Sequence, residues 1–197
     1  MNFNTLCKLK FNIQPYDFDH NPFGFKHTNG SDISAHLPLL SLLASQCSHI
    51  TEFGTRQCNS TTAFINGCRG KVISYDINIY DEIVELQNMQ LPCVWEFKQQ
   101  DTADPNLQIE ETEFLFLDSL HTYEQVIAEL KQAKYVKHYI GFHDTYSQGE
   151  RSVDDPTKLG ILPAIRDFLS SNTEWIVIYH VKFNHGLTII QKKHGIL

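Results

Sequence analysis

Two aspartate–histidine pairs stand at the ends of apolar runs. Asp118 and His121 close "FLFLDSLHTY", and His143 and Asp144 close "YIGFHDT". Titratable groups at the mouth of a core are costly unless something uses them. If the two runs are neighbouring strands, their end carboxylates repel until a cation or proton lies between them. Hard oxygen donors with open positions suit Mg, Ca or Mn better than zinc, and an imidazole from His143 makes Mn or another transition ion more competitive. Against this, strand neighbours face opposite sides, which would turn His143 away from Asp144. His121 follows Asp118 by three residues. An ordinary imidazole, with a pKa near ~6.5, can take a proton from a substrate hydroxyl near neutral pH. The same residue can instead hold its loop by a hydrogen bond. The bland alternative for all four is that strands end and the chain meets water in polar residues.

Other polar residues fall at the ends of apolar runs too. "HITEF" leads into "GTRQCNST", a strand-to-helix turn whose backbone N–H groups suit a carboxylate or phosphate, with Gly54 allowing close approach. Asp76 ends "KVISYD", where a carboxylate can accept hydrogen bonds from both hydroxyls of a ribose. Asp101 and Thr102, after the next run, can reach an adenine edge; each is otherwise a solvated loop residue or a cap.

The elements that must position these residues alternate. A leucine-rich helix begins at Pro38, with Leu39, Leu40, Leu42 and Leu43 on one side. "HITEF", "KVISYD", "CVWEF", "EFLFLD" and "HYIGFHD" read as strands. Between them lie helices at "NSTTAFI", at "IYDEIVELQNM" (Ile79, Ile83, Val84 and Leu86 apolar) and after Asp118. In the last of these, Thr122 and Gln125 fit a capping box, and Tyr123, Val126, Ile127, Leu130 and Ala133 mark an apolar face. "LPAIRDFL" is a further helix. "EWIVIYHV" and "LTIIQK" leave no room for a helix between them and predict a hairpin across "KFNHG". The pattern is α/β: a Rossmann-like three-layer sandwich around a mostly parallel sheet, with a terminal antiparallel strand. Ligands in such sheets sit beyond the strands' carboxyl ends, where Gly54, Asp76, Asp101, Asp118, His121 and Asp144 converge. Residues 1–31 mix aromatics with Asn, Asp, Pro and Gly and read as an irregular segment packed on one domain spanning 32–197.

The chain has 197 residues, a formal charge of −7 and 12% aromatics. It is long enough for a sizeable core. The charge disfavours a nucleic-acid partner, and no apolar run approaches the ~20 residues that span a bilayer. Cys7, Cys47, Cys58, Cys68 and Cys93 show no CxxC spacing and are odd in number, which favours reduced thiols. With no signal-like N-terminus, a cytoplasmic location is expected and the sequons at Asn29 and Asn59 are read as accidental.

Taken in order, "ITEFGTRQCNSTTAFI", "VISYDI", "FLFLDSLHTYEQVIAELKQA", "IGFHDT" and "GILPAIRDFL" resemble class I S-adenosylmethionine-dependent methyltransferases. The likeness is greatest to the branch with metal-dependent sugar O-methyltransferases and cephalosporin-hydroxylase-like proteins, over about residues 32–192. It implies a seven-stranded sheet with the last strand antiparallel. It assigns S-adenosylmethionine to Glu52, Gly54, Thr55, Cys58, Ser60, Asp76, Asp101 and Thr102, and a divalent metal, Mg or Mn, to Asp118, His143 and Asp144. In "DSLH" it makes Asp118 a metal ligand and His121 the base. The implied acceptor is a hydroxyl of a sugar or glycan, with a catechol-like small molecule next; a homodimer stays open. Cys58 stands where relatives usually carry glycine, Arg56 where many carry another, and His143 where the sugar enzymes have Glu. These departures predict a narrowed cofactor loop and weaker metal binding. They also keep a non-catalytic binding module in view, with a metal-dependent hydrolase last.

Overall fold

A computed structural model describes residues 31–193. The irregular segment predicted for residues 1–31 lies outside them except for Ser31. Seven strands run β1 (His49–Phe53), β2 (Lys71–Asp76), β3 (Val94–Gln99), β4 (Thr112–Leu117), β5 (Val136–His143), β6 (Trp175–Val181) and β7 (Leu187–Lys192). Five α-helices are α1 (Leu37–Ala44), α2 (Asn59–Gly67), α3 (Asp81–Gln87), α4 (Tyr123–Leu130) and α5 (Ile161–Ser171). One sheet has the order β3-β2-β1-β4-β5-β7-β6. Strands β1 to β5 pair in parallel, whereas β7 is antiparallel to both β5 and β6. The predicted hairpin therefore folds back between β5 and the edge.

Strand β4 shows why these strands read as unbroken apolar runs. Phe114 and Phe116 face α1 and α2, packing with Phe64 and Leu40, while Leu115 and Leu117 face α4 and α5 beside Val126 and Phe168. Both faces of the sheet are buried, so both sets of alternating positions must be apolar. Each such side chain removed from water contributes roughly 1.5–3 kcal/mol. Helices α1 and α2 pack closely at Gly67, where an added Cβ would fall 2.2 Å from the Ser41 carbonyl oxygen. Replacing Gly67 would force those two helices apart.

Helix α3 is shorter than expected. It starts at Asp81, so Ile79 and Val84 are exposed and only Ile83 and Leu86 reach the core. The N-cap of α4 is half of the expected box: Thr122 Oγ1 accepts from Gln125 N, but the Gln125 amide reaches inward to Thr102 and Glu129 instead of back to the cap. Among the described residues no helix is long and apolar enough to cross a membrane.

Candidate functional site

The strand order reverses between β1 and β4: β1 leads outward to β2 and β3, and β4 leads the other way to β5. Helices on opposite faces diverge there and leave a crevice at the carboxyl ends. The crevice is a cavity of about 690 Å³ bordered by Gly54, Asp76, Asp101, Asp118, His121 and Asp144. Its size is typical of small-molecule sites, roughly 300–1,000 Å³.

At one end stand the carboxylates of Asp118 and Asp144. A ligand atom from each, with one from His143, lies within 4.8 Å of the others. Strict alternation would have sent Asp144 to the opposite face from His143. Asp144 instead has φ +56°, a left-handed residue just past the strand end. This reversal returns its carboxylate to the same side, with Oδ2 3.4 Å from His143 Nδ1. The His143 Nδ1 is also 3.2 Å from Asp118 Oδ1, and its Nε2 meets the carbonyl oxygens of Asp32 and Asn184. A carbonyl only accepts, so Nε2 carries hydrogen and Nδ1 is the atom turned to the carboxylates.

His121 lies across the same pair. Its Nε2 is 3.0 Å from Asp144 Oδ2 and 3.6 Å from Asp118 Oδ1, and its Nδ1 is 3.1 Å from Asp154 Oδ2. Burial alone would lower the pKa of both imidazoles. The two carboxylates more than reverse this, holding His121 at about 10 and His143 at about 11. Burial would conversely raise Asp118 and Asp144, and the imidazoles keep both below the usual carboxylate range. Two acids and two imidazoliums thus neutralise one another. The loop after β5 and the hairpin turn complete the cluster: Ser147 Oγ donates to Asp144 Oδ1 at 2.6 Å, and His185 Nδ1 lies 3.2 Å from the same atom.

No protein-family model and no curated protein matches the sequence. Solved structures match it along nearly its whole length. The O-methyltransferase TomG from Streptomyces achromogenes, involved in tomaymycin synthesis and solved with S-adenosylmethionine, superposes with TM-score 0.61 at 13% identity, covering 98% of this chain and 97% of its own. The O-methyltransferase from Bacillus cereus, in complex with S-adenosylhomocysteine, gives 0.60 at 16% identity over 96% of each chain. A Podospora anserina methyltransferase bound to S-adenosylhomocysteine gives 0.59 at 13% identity, covering 96% and 93%. The fold is that of the class I methyltransferases.

Within this methyltransferase fold the predicted cofactor residues divide into two groups. Gly54, Thr55, Ser60, Asp76, Asp101 and Thr102 border the cavity. Glu52 does not: it is fully buried, accepting from Ser60 Oγ at 2.6 Å, Thr61 Oγ1 at 2.7 Å and Ser74 Oγ at 2.6 Å. Burial pushes its pKa to about 7 against the pull of those three donors. Cys58 is fully buried as well, packed on Ile65, Ile83 and Leu86 away from the cavity, so it does not narrow the site. Its departure from glycine shows in the backbone, where Cys58 adopts φ 61° at the N-cap of α2.

Three further details correct the sequence reading. The Gly54 backbone is approached by the end of β4: a Cβ there would lie 2.1 Å from the Asp118 carbonyl oxygen. Three N–H groups of the first turn are committed within the protein. Thr55 N and Arg56 N donate to Asp76 Oδ2 at 3.0 and 2.9 Å, and Cys58 N donates to Thr55 O. Among the described residues Asp76 Oδ1 accepts only from Asn78 N at 2.9 Å, leaving acceptor capacity toward the cavity. Lastly, Thr102 turns its hydroxyl inward to Glu129. Asp154, His185 and Glu129 were not singled out from sequence. Asp154 and His185 sit in loops remote from the motif they touch, while the four-residue spacing of Gln125 and Glu129 on one helix was a usable signal.

Proposed function

We propose that this protein is an S-adenosylmethionine-dependent O-methyltransferase acting, with a divalent cation, on a hydroxyl of a sugar or other small hydroxylated molecule. The observation that carries the reading is one cavity with Asp76 along its wall and the Asp118–His121–Asp144 cluster at its end. The residues suit the cofactor: the cavity is large enough, and Asp76 keeps an acceptor site for a ribose hydroxyl. They also suit a metal, because two carboxylates converge with His143 Nδ1, which becomes a ligand once the cation displaces its proton. The sulfonium of the bound donor supplies an electrophilic methyl group with a good leaving group. A cation held by Asp118, Asp144 and His143 Nδ1 would lower the pKa of a coordinated hydroxyl.

The protein's own contribution is chiefly positioning, since methyl transfer is an in-line displacement. Asp76 and the turn after β1 hold the donor, and the strand ends hold the acceptor beside it. His121, with Nε2 toward the carboxylates and Nδ1 toward Asp154, is the group placed to receive the hydroxyl proton. It can do so only as a neutral imidazole, so the carboxylate charge must be met by another cation first. Cys58, packed away from the cavity, removes one support for a non-catalytic module. The sugar acceptor rests on the family resemblance, with a catechol-like phenol as the next class.

The test is calorimetric titration with S-adenosylhomocysteine, followed by methyl transfer assays with Mg or Mn against sugar and catechol acceptors. Binding and metal-stimulated transfer are expected, with His121→Ala retaining binding and losing about 10²–10⁴-fold in turnover. Absence of cofactor binding by the folded protein refutes the reading; binding without transfer to any hydroxyl acceptor favours the module.

A further inference from the structure

The two edges of the sheet, β3 and β6, are built differently. Strand β3 carries Glu96 and Lys98, and Glu96 pairs with Lys71 at 3.2 Å. Charges on an edge strand discourage another strand from adding to it. Strand β6, "WIVIYHV", holds no Lys, Arg, Asp, Glu, Pro or Gly. Its Ile176, Val177 and Ile178 stand 41%, 49% and 44% exposed in succession. The outer side of such an edge also offers a row of backbone N–H and C=O groups to a further strand.

The apolar surface continues on one face of this strand. A register shift between Val177 and Tyr179 sets Tyr179 opposite Ile189 and Val181 opposite Leu187, in the core under α1 and α2. Val177 lies opposite Ile190, in the core under α4 and α5, so alternation turns Ile176 to the α1 and α2 face. Cover by those helices ends before the edge: Tyr179 and Val181 are half-buried and Ile176 is exposed.

The flanks of β6 indicate what fits against it. Glu174 precedes the strand and Lys182 follows it, each four residues from Ile178 and both exposed. A second copy of β6 added in antiparallel orientation brings its Lys182 end beside Glu174 and its Glu174 end beside Lys182. A two-fold axis near Ile178 relates the two contacts, as an isologous interface requires. Between them, β-branched and aromatic side chains meet across the strands, the contacts that stabilise antiparallel pairs. A bulge can turn an edge away from partners; here the axis passes through the register shift, so both strands bend at the same point and the bends match.

We propose that β6 is a homodimerisation edge, along which two copies of this chain pair antiparallel and extend one sheet through both. Seven residues a side are fewer than the ~20–30 of a standard interface, so dimer and monomer are expected to exchange in the micromolar range. The proposal does not depend on the methyltransferase reading.

The experiment is sedimentation equilibrium of the full chain over about 1–300 μM, a range that brackets micromolar association. A concentration-dependent dimer is expected, with β6 amides exchanging more slowly as concentration rises. Ile178→Lys sets like charges against each other at the axis and should weaken association about thirtyfold or more, with the fold retained by circular dichroism. Glu174→Lys and Lys182→Glu should each weaken it about fivefold or more, because the axis repeats the repulsion at both ends. Combining the two reversals should restore association to within about twofold of wild type, since opposite charges face each other again. If Ile178→Lys does not fold, the charge-reversal set decides the outcome. A monomer throughout the range, a dimer indifferent to Ile178→Lys, or no recovery in the double variant overturns the proposal.

Discussion

Replacing Cys58 by glycine separates two accounts of the first turn. If the thiol crowded the cofactor loop, its removal would tighten binding. In the structure Cys58 is fully buried against Ile65, Ile83 and Leu86, and does not border the cavity. Its backbone has φ 61° and ψ 23°, the left-handed region, which costs a residue with a Cβ roughly 1–2 kcal/mol. Glycine relieves that strain. Against the relief stand the lost burial of a methylene and a sulfur, together about 1.5 kcal/mol by area, and about 0.5–1 kcal/mol of added chain entropy. The opposing effects nearly cancel, so Cys58→Gly should destabilise by no more than about 1.5 kcal/mol. Affinity for S-adenosylhomocysteine should change by less than about twofold. Urea unfolding and calorimetric titration measure the two quantities. A tenfold change in affinity in either direction would mean the side chain reaches the ligand. A loss above about 3 kcal/mol would mean that the left-handed backbone at this position is not strained as argued.

Asp76→Ala should lower S-adenosylhomocysteine affinity about tenfold or more, since a charge-assisted hydrogen bond is typically worth ~1.5–3 kcal/mol; it should also speed hydrogen exchange at the Thr55 and Arg56 amides that now bond to it. Unchanged binding in the folded variant would remove Asp76 from the site. Glu52 has its pKa raised from 4.5 to about 7 by burial, which outweighs donation from Ser60, Ser74 and Thr61. Between these values the folded state binds more protons than the unfolded one, so this contribution is complete below pH 4.5 and is lost as pH rises through about 7. The loss amounts to at most roughly 3 kcal/mol, and Glu52→Gln should flatten that part of the stability profile; superimposable profiles for variant and wild type would contradict it. Asp144→Asn preserves shape while removing a charge, and should weaken Mn binding at least tenfold by calorimetry with fold retained by circular dichroism; equal metal affinity would move the cation elsewhere.

Apolar runs, caps and the missing helix before "LTIIQK" were enough to read the alternating architecture, the closing hairpin and the placement of Asp76, Asp101, Asp118 and Asp144 at strand ends. Those features depend on local periodicity, and a sheet buried on both faces makes that periodicity hard to mistake. The sequence alone did not reveal which way the side chains point once a strand has ended. Glu52, within β1, and Cys58, in the turn after it, belong to the recognised motif yet face the interior, and Thr102 reaches the cavity but commits its hydroxyl to Glu129. Asp144 joins His143 on one side only because its backbone turns left-handed, reversing the alternation by which strand residues are read. Asp154 and His185 reach the cluster from loops distant in sequence, and no spacing rule connects them to "DSLH". The sequence determines which residues arrive at the sheet's carboxyl edge because strand length and period are local properties. Tertiary structure decides which of them share a hydrogen bond, because that depends on single backbone dihedrals and on loops whose paths are set by what they pack against.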